Sequence, residues 1–270
     1  MSTLNIDGIN RKAWSTRQAL KIYDTSYGYT DPGEKAAIER VTAEARGRPI
    51  LDIGVGAGRS AQLWTAISKD GYVGVDYCPE ILALAKAKFP DTRFLQMDAR
   101  DLSAFPSNSF FLTTFSFNGI DSVDYEGRLK VLAEVNRVLM PGGVFVFSSH
   151  NKDGPGSRET LRMLRPGFTR NPAEMALRTF RSLRATPHSI INFYRNKRLH
   201  QDHGTYSIKT CSAHNFGIVI MYTTLAEQKR QLAAAGFKIE AIYDNFRGQP
   251  VSDSSDLRAA HWFQFVARKL

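Results

Sequence analysis

The chain of 270 residues reads as an α/β protein built on a seven-stranded, mostly parallel sheet with helices on both faces, interrupted by one insertion. Three observations predict this. Short continuous apolar runs alternate with helical periodicity from residue 50 to about residue 149, which is the pattern of a parallel sheet buried on both faces. The first run, Ile50 to Ile53, enters a glycine-rich turn, Gly54-Val55-Gly56-Ala57-Gly58, that opens a helix. The second and third runs end in carboxylates, Asp76 and Asp98, over one edge of the expected sheet.

The elements follow in order. Residues 10 to 46 read as helical, with a break from Ser26 to Thr30. Asp31-Pro32-Gly33-Glu34 is a start signal: Asp31 caps, Pro32 suits the first helical position and Glu34 completes a capping box. The helix from there to Ala45 carries Ala37, Val41 and Ala45 on the stripe that should face the sheet. Strands are expected at Tyr72 to Asp76, Thr92 to Gln96, and Phe110 to Phe117, the last too apolar for an edge position. Helices are expected over Ser60 to Ile67 and over Pro79 to Phe89, the latter burying Ile81, Leu82, Leu84 and Ala85. A third, Tyr125 to Leu139, turns Leu129, Leu132, Val135, Val138 and Leu139 inward and stops at Pro141-Gly142-Gly143. Val144 to Ser149 is the fifth strand.

About seventy residues then intervene. Ser157 to Leu183 reads as basic helical segments broken at Pro166-Gly167 and Asn171-Pro172, and His203 to Tyr222 as a hairpin around Ala213-His214-Asn215. Thr224 caps a further helix ending at Ala235-Gly236, and Phe237 to Tyr243 and His261 to Ala267 are the last two strands. The expected organisation is an N-terminal helical cap (1–48), an α/β core (49–151 and 223–270) and an inserted lid (152–222) over the C-terminal edge of the sheet, where open α/β folds bind ligands.

The glycine spacing narrows the ligand. A dinucleotide fingerprint places its third glycine at the sixth position, where this chain has Arg59, and a phosphate-cradling loop ends in Gly-Lys-Ser or Gly-Lys-Thr. Neither pattern is present. Asp76, 24 residues beyond Asp52, is placed to accept hydrogen bonds from both hydroxyls of a ribose, and Asp98-Ala99 to meet an adenine through its amine and a ring nitrogen. The three turns together describe an adenosine site with no provision for a pyrophosphate.

With Leu139-Met140-Pro141-Gly142-Gly143 before the fifth strand, these motifs make an ordered set, and the segment from Pro49 to Asn151 resembles the core of class I S-adenosylmethionine-dependent methyltransferases. The resemblance covers about two fifths of the chain and implies a Rossmann-like fold, S-adenosylmethionine as cofactor and an antiparallel ending to the sheet. It also implies cofactor contacts from Asp52, Gly54, Gly56, Asp76, Tyr77, Asp98, Ala99 and Phe117, with Tyr23, Tyr27 and Tyr29 of the N-terminal helices closing over the site. Family members that act on amino groups often carry Asn or Asp at the position of Asn118, but the Asn-Pro-Pro-Tyr pattern is incomplete here.

Methyl transfer needs alignment more than acid–base chemistry, so catalytic side chains are sought where the fourth and fifth strands end. His150 is the preferred base, since imidazole chemistry suits removing a proton from a hydroxyl or amine, and Asn118 the second candidate. Tyr29, Tyr206 and Tyr222 are candidate linings of the acceptor pocket. His188, His200, His203 and His214 crowd the insertion, but without a carboxylate-bearing ligand pattern no metal site is expected.

Net charge is +10, concentrated between Lys152 and His200, where eleven Lys or Arg face three Asp or Glu. Such an excess draws anions: nucleic acid, an acidic small molecule or an anionic lipid surface. Three acceptor readings stay open: a small molecule methylated on oxygen or nitrogen, an RNA held by the basic insertion, and non-methyl chemistry at the sulfonium. Tyr194-Arg195-Asn196-Lys197-Arg198 is the nearest approach to an RNA platform, and it is short. No apolar run is long enough for a membrane span, Met1 to Asn5 lacks a charged start leading to an apolar stretch, and Cys78 and Cys211 are far apart, so a reduced cytoplasm is the expected compartment.

Overall fold

Two helices precede the core, α1 (Ile6–Trp14) and α2 (Arg17–Thr25), followed by α3 (Pro32–Ala45). Strand and helix then alternate through β1 (Ile50–Ile53), α4 (Ala61–Ile67), β2 (Tyr72–Asp76), α5 (Pro79–Lys88), β3 (Arg93–Gln96), β4 (Phe110–Phe115), α6 (Tyr125–Val138) and β5 (Leu139–His150). The insertion contributes α7 (Pro172–Lys197), β6 (Gln201–Asp202), β7 (Tyr206–Thr210), α8 (Ala213–Phe216) and β8 (Val219–Thr223), and the chain finishes with α9 (Leu225–Ala234), β9 (Phe237–Asp244) and β10 (Trp262–Lys269). The computed structural model describes residues 6–25, 30–252 and 255–270. Among them no helix is long and apolar enough to cross a membrane.

The main sheet has seven strands in the order β3-β2-β1-β4-β5-β10-β9. β1 to β5 pair in parallel, and β10 runs antiparallel between β5 and β9. Alternation along β1 explains its two buried faces. Leu51 and Ile53 join the core under α6 and α9, where Val131, Leu132, Val135 and Leu232 pack, whereas Ile50 joins the core under α3, α4 and α5, with Ala37, Val41, Trp64 and Leu82. The reversal of winding order between β1 and β4 opens a crevice at the C-terminal strand ends, where open sheets hold ligands.

Several local readings need correction. The N-terminal helical stretch begins at Ile6 and breaks at Ser15-Thr16, where the Ala19 amide donates to Thr16 Oγ1 and starts α2. Asp31 caps α3 through Oδ1, accepting from the Glu34 amide, but Glu34 does not close the box because its carboxylate takes a paired hydrogen bond from Arg59 at 2.6 and 3.0 Å. The free oxygen of Asp31 instead accepts from Trp262 Nε1 and Gln264 Nε2 and ties α3 to β10. Of the face expected on α6, Leu132, Val135, Val138 and Leu139 are buried, whereas Leu129 is half-buried and Arg128 beside it is buried. Pro141 to Gly143 lie within β5 rather than after a longer helix.

The insertion departs most. Asn171 caps α7 by accepting from the amides of Ala173 and Glu174, and the helix then continues unbroken in assignment through Pro187 to Lys197. β7 and β8 do form the expected antiparallel pair, with Ser207 opposite Tyr222. Asn10 of α1 reaches this pair: its side chain donates to the Val219 carbonyl and accepts from the Val219 amide, both at 2.8 Å. The N-terminal helices and the insertion therefore brace one another beside the C-terminal end of the main sheet.

Arg128 lies between Asp121, Gln231 and the sheet, 1% exposed, and it neutralises an Asp121 carboxylate that is fully buried. Removing one member of such a pair strands a charge in the interior. Arg128→Ala is expected to lower the unfolding free energy by about 3–5 kcal/mol in denaturant titration.

Candidate active site

Gly54 and Gly56 follow β1 with φ of +63° and +58°, a region that L side chains rarely adopt. A Cβ on Gly54 would sit 2.7 Å from the Phe115 ring, so the turn passes too close to β4 for any other residue. Beneath it, Asp52 accepts from Ser60 Oγ at 2.6 Å, Thr114 Oγ1 at 2.7 Å and the Tyr72 hydroxyl at 2.9 Å. Asp52 points into the α3/α4 side of the sheet and does not line the crevice. The expected cofactor contact from Asp52 is corrected accordingly: it is a brace that fixes the strand and the helix on either side of the turn.

The crevice is walled by Gly54, Gly56, Asp76, Tyr77, Ala99 and Phe117, all named from the sequence, and by Tyr23 from α2. Asp76 Oδ2 accepts from the Gly56 amide and Oδ1 from the Cys78 amide, at 2.9 and 2.8 Å. Burial pushes its carboxyl up to about 6, with the backbone donors acting in the opposite direction. Each oxygen keeps unused acceptor capacity. Asp98 lines the crevice too, but both its oxygens are taken by the Arg100 guanidinium, which also bridges to Asp7 of α1 at 2.7 Å. Its expected role as a bare acceptor for an amine is thus corrected to that of an ion-paired wall. Arg100, Asp7, Met97 and Trp14, whose ring meets Tyr77 edge-on at 5.6 Å, also line the crevice and were not singled out in the sequence.

Next to this crevice the ends of β4 and β5 form a second constellation. Phe117 and Asn118 both take left-handed backbone, φ +51° and +60°, and a Cβ at Gly119 would lie 2.1 Å from Phe115. The Asn118 amide donates to Ser148 Oγ at 2.7 Å and holds this strained turn against β5. The following turn places Asp121, fully buried, where it accepts from four donors: Arg128, Ser149 Oγ, the His150 amide and His150 Nδ1. An ionised carboxylate only accepts, so the His150 proton is assigned to Nδ1 and Nε2 carries the lone pair. Nε2 lies 3.5 Å from Asn118 Nδ2, and Asn118 Oδ1 is buried without a hydrogen-bond partner.

Aromatic groups surround the imidazole. Tyr222 of β8 lies edge-on at 5.2 Å and Trp262 of β10 at 6.2 Å, and Trp262 also meets Phe117 at 6.4 Å. The structure therefore brings His150, Asn118 and Tyr222 together. It does not bring Tyr206, which stacks between Tyr125 at 4.6 Å and His203 at 4.5 Å away from this cluster, and Tyr29, like Tyr27, lies outside the described residues. Tyr23 hydroxyl meets His214 Nε2 at 3.2 Å, which links α2 to the insertion over the crevice. Asp121 and Trp262 were missed in the sequence. Trp262 faces His150 only through the antiparallel register of β10 on β5, which no local pattern encodes.

A family profile for a methyltransferase domain matches residues 50–143. Phosphatidylethanolamine N-methyltransferase of Cereibacter sphaeroides is 32% identical over 157 residues, which cover 54% of this chain and 70% of that enzyme. The chain belongs to the class I S-adenosylmethionine-dependent methyltransferases. Demethylmenaquinone methyltransferase of Chlorobaculum tepidum is 34% identical over 94 residues, 35% of this chain and 37% of that enzyme's length. The crystal structure of 1,6-didemethyltoxoflavin-N1-methyltransferase from Burkholderia thailandensis, which contains S-adenosylhomocysteine, superposes with a TM-score of 0.60 over 100% of this methyltransferase and 91% of that chain, at 14% identity. The residues present fit the family cofactor: the crevice is of nucleoside scale, with a glycine turn, a carboxylate with spare acceptor capacity and an aromatic wall at Trp14 and Tyr77. Among the described residues no cluster of His, Cys, Asp and Glu could hold a metal ion.

Proposed function

We propose that this methyltransferase modifies a small-molecule acceptor at an oxygen or nitrogen, held between the adenosine crevice and the insertion, with His150 as the base. The observation that carries the reading is the buried Asp121 carboxylate fixing His150 Nδ1 at 2.8 Å, which leaves the Nε2 lone pair facing only the long 3.5 Å contact from Asn118 Nδ2. The names of two relatives agree with nitrogen as the acceptor, phosphatidylethanolamine N-methyltransferase and 1,6-didemethyltoxoflavin-N1-methyltransferase.

When bound, S-adenosylmethionine supplies a methyl group already activated on a sulfonium. The chain's task is then to align the acceptor and exclude water, which can be worth about 7–11 kcal/mol. In this reading Gly54 and Gly56 give the cofactor close approach to the backbone, and Asp76 accepts from the ribose hydroxyls. Tyr77, Ala99 and Met97 flank the base, with Asp98 held in place by Arg100 and Tyr23 closing from above. The acceptor's O–H or N–H group donates to His150 Nε2, with the orphaned Asn118 Oδ1 orienting it. The insertion 152–222 serves as the lid through Tyr222, and together with Trp262 and Phe117 it walls the imidazole from solvent. Cytoplasmic residence agrees with Cys78 and Cys211 being buried free thiols.

His150→Gln is expected to lower kcat about 10²–10⁴-fold while leaving cofactor affinity near wild type. Mass spectrometry of a metabolite extract incubated with methyl-labelled S-adenosylmethionine identifies the acceptor on which that rate is measured, and full turnover by the variant would remove the proposed base. Asp76 gives a separate test. Its carboxylate must be ionised to accept from two hydroxyls, so calorimetric affinity for S-adenosylhomocysteine should weaken as pH falls through about 6. Asp76→Ala should weaken binding about ten- to a hundredfold at neutral pH, with a flatter acid limb.

A further inference from the structure

Helix α7 presents an apolar stripe outward. A surface helix normally turns its apolar stripe to the core. Here the inward face is mixed: Phe193 packs edge-on against Phe216 at 5.3 Å, but Ser189 and Asn196 are buried, Asn192 donates to the Asn215 carbonyl and Asn196 to the Phe216 carbonyl. The outward residues are apolar: Leu177, Phe180, Leu183, Ile190, Ile191 and Tyr194 are 46%, 62%, 68%, 38%, 63% and 59% exposed. At 100° per residue these six fall on one stripe of about 140°, which extends from Leu177 to Tyr194 over about 26 Å. Met163 and Phe168, 57% and 82% exposed, lie in the segment leading into the helix. Single exposed apolar residues are ordinary, but a contiguous ridge of this length marks a contact surface.

Charge selects the partner. Arg162, Arg165, Arg170 and Arg181 are exposed along the ridge and the segment before it. A second copy of this chain would oppose its own basic excess. An RNA would engage the arginines and leave the apolar stripe in water. An anionic bilayer satisfies both groups, with the side chains in the acyl boundary and guanidinium groups at the lipid phosphates. We infer that the outward face of α7 is a membrane-contact surface on which the enzyme docks, lying in the plane of an anionic lipid leaflet without crossing it. This docking is independent of the acceptor's identity and of the role of His150.

The test is co-sedimentation of the full chain with vesicles of phosphatidylcholine alone and of phosphatidylcholine with about one third phosphatidylglycerol. The wild type should pellet with the anionic vesicles, and less so as salt is raised. The triple variant Phe180→Glu, Leu183→Glu, Ile191→Glu should partition at least about tenfold more weakly with an unchanged circular dichroism spectrum and melting temperature. The inference is overturned if the wild type stays in the supernatant with anionic vesicles, or if the triple variant pellets as well as the wild type. It also fails if the substitutions instead dissolve a dimer in light scattering, or if single-stranded RNA binds in place of vesicles and the variant keeps that binding.

Discussion

The site depends on one buried carboxylate. Asp121 is removed from water and accepts from four donors: the guanidinium of α6, and a hydroxyl, an amide and an imidazole at the end of β5. Burying an ion costs several kcal/mol unless its lone pairs are satisfied, and here they are. The same bonds that make the burial tolerable also lock the tautomer and direction of His150. Stability and the orientation of His150 therefore share one residue: Arg128 neutralises the charge and Gln231 of α9 holds Arg128 in turn at 2.8 Å.

Around this point the fold gathers three parts of the chain at the C-terminal ends of the parallel strands. Asn10 hydrogen-bonds the insertion strand β8, Asp31 at the start of α3 receives Trp262 and Gln264 of β10, and Tyr23 meets His214. His214, Asn215 and Phe216 are held in left-handed backbone, φ +51° to +57°, at the point where the insertion reaches the N-terminal helices. Such strain persists only where surrounding contacts enforce it, and here they close the crevice against the cofactor wall. The crevice with the glycine turn is thus built by the parallel strands, whereas the His150 cluster is built by segments far apart in sequence.

That division explains what could be read before the structure. The glycine turn, the alternation of strands and helices and the caps at Asp31 and Thr224 are local patterns, and each lies where the sequence places it, whereas the antiparallel close follows from the family resemblance. The second-strand carboxylate Asp76 is local in the same sense, its position following from the strand end. Asp52 looked like a ligand group because its partners Tyr72 and Thr114 come from other strands. Asp98 looked bare because an ion pair with Arg100 and Asp7 is invisible to periodicity. On α6 only Leu129 departs from the expected face, because Arg128 beside it takes a buried position against the ordinary rule that leucine goes inward and arginine outward. For α7 both expected breaks lie before the helix, with Pro172 at its first turn where proline is favoured, but the helix runs beyond Leu183 and through Pro187 to Lys197, which the sequence pattern does not show.

Asp121 holds His150 as an Nδ1-protonated imidazole whose Nε2 lone pair faces Asn118, the arrangement that the proposed base requires. Nitrogen NMR of the histidine-labelled enzyme, with the His150 signals assigned by their loss in His150→Gln, reads this directly. For the neutral ring the account predicts a proton on Nδ1 in a strong hydrogen bond and an unprotonated Nε2, both disturbed by Asp121→Asn. A neutral ring protonated on Nε2, or signals indifferent to Asp121→Asn, would contradict it.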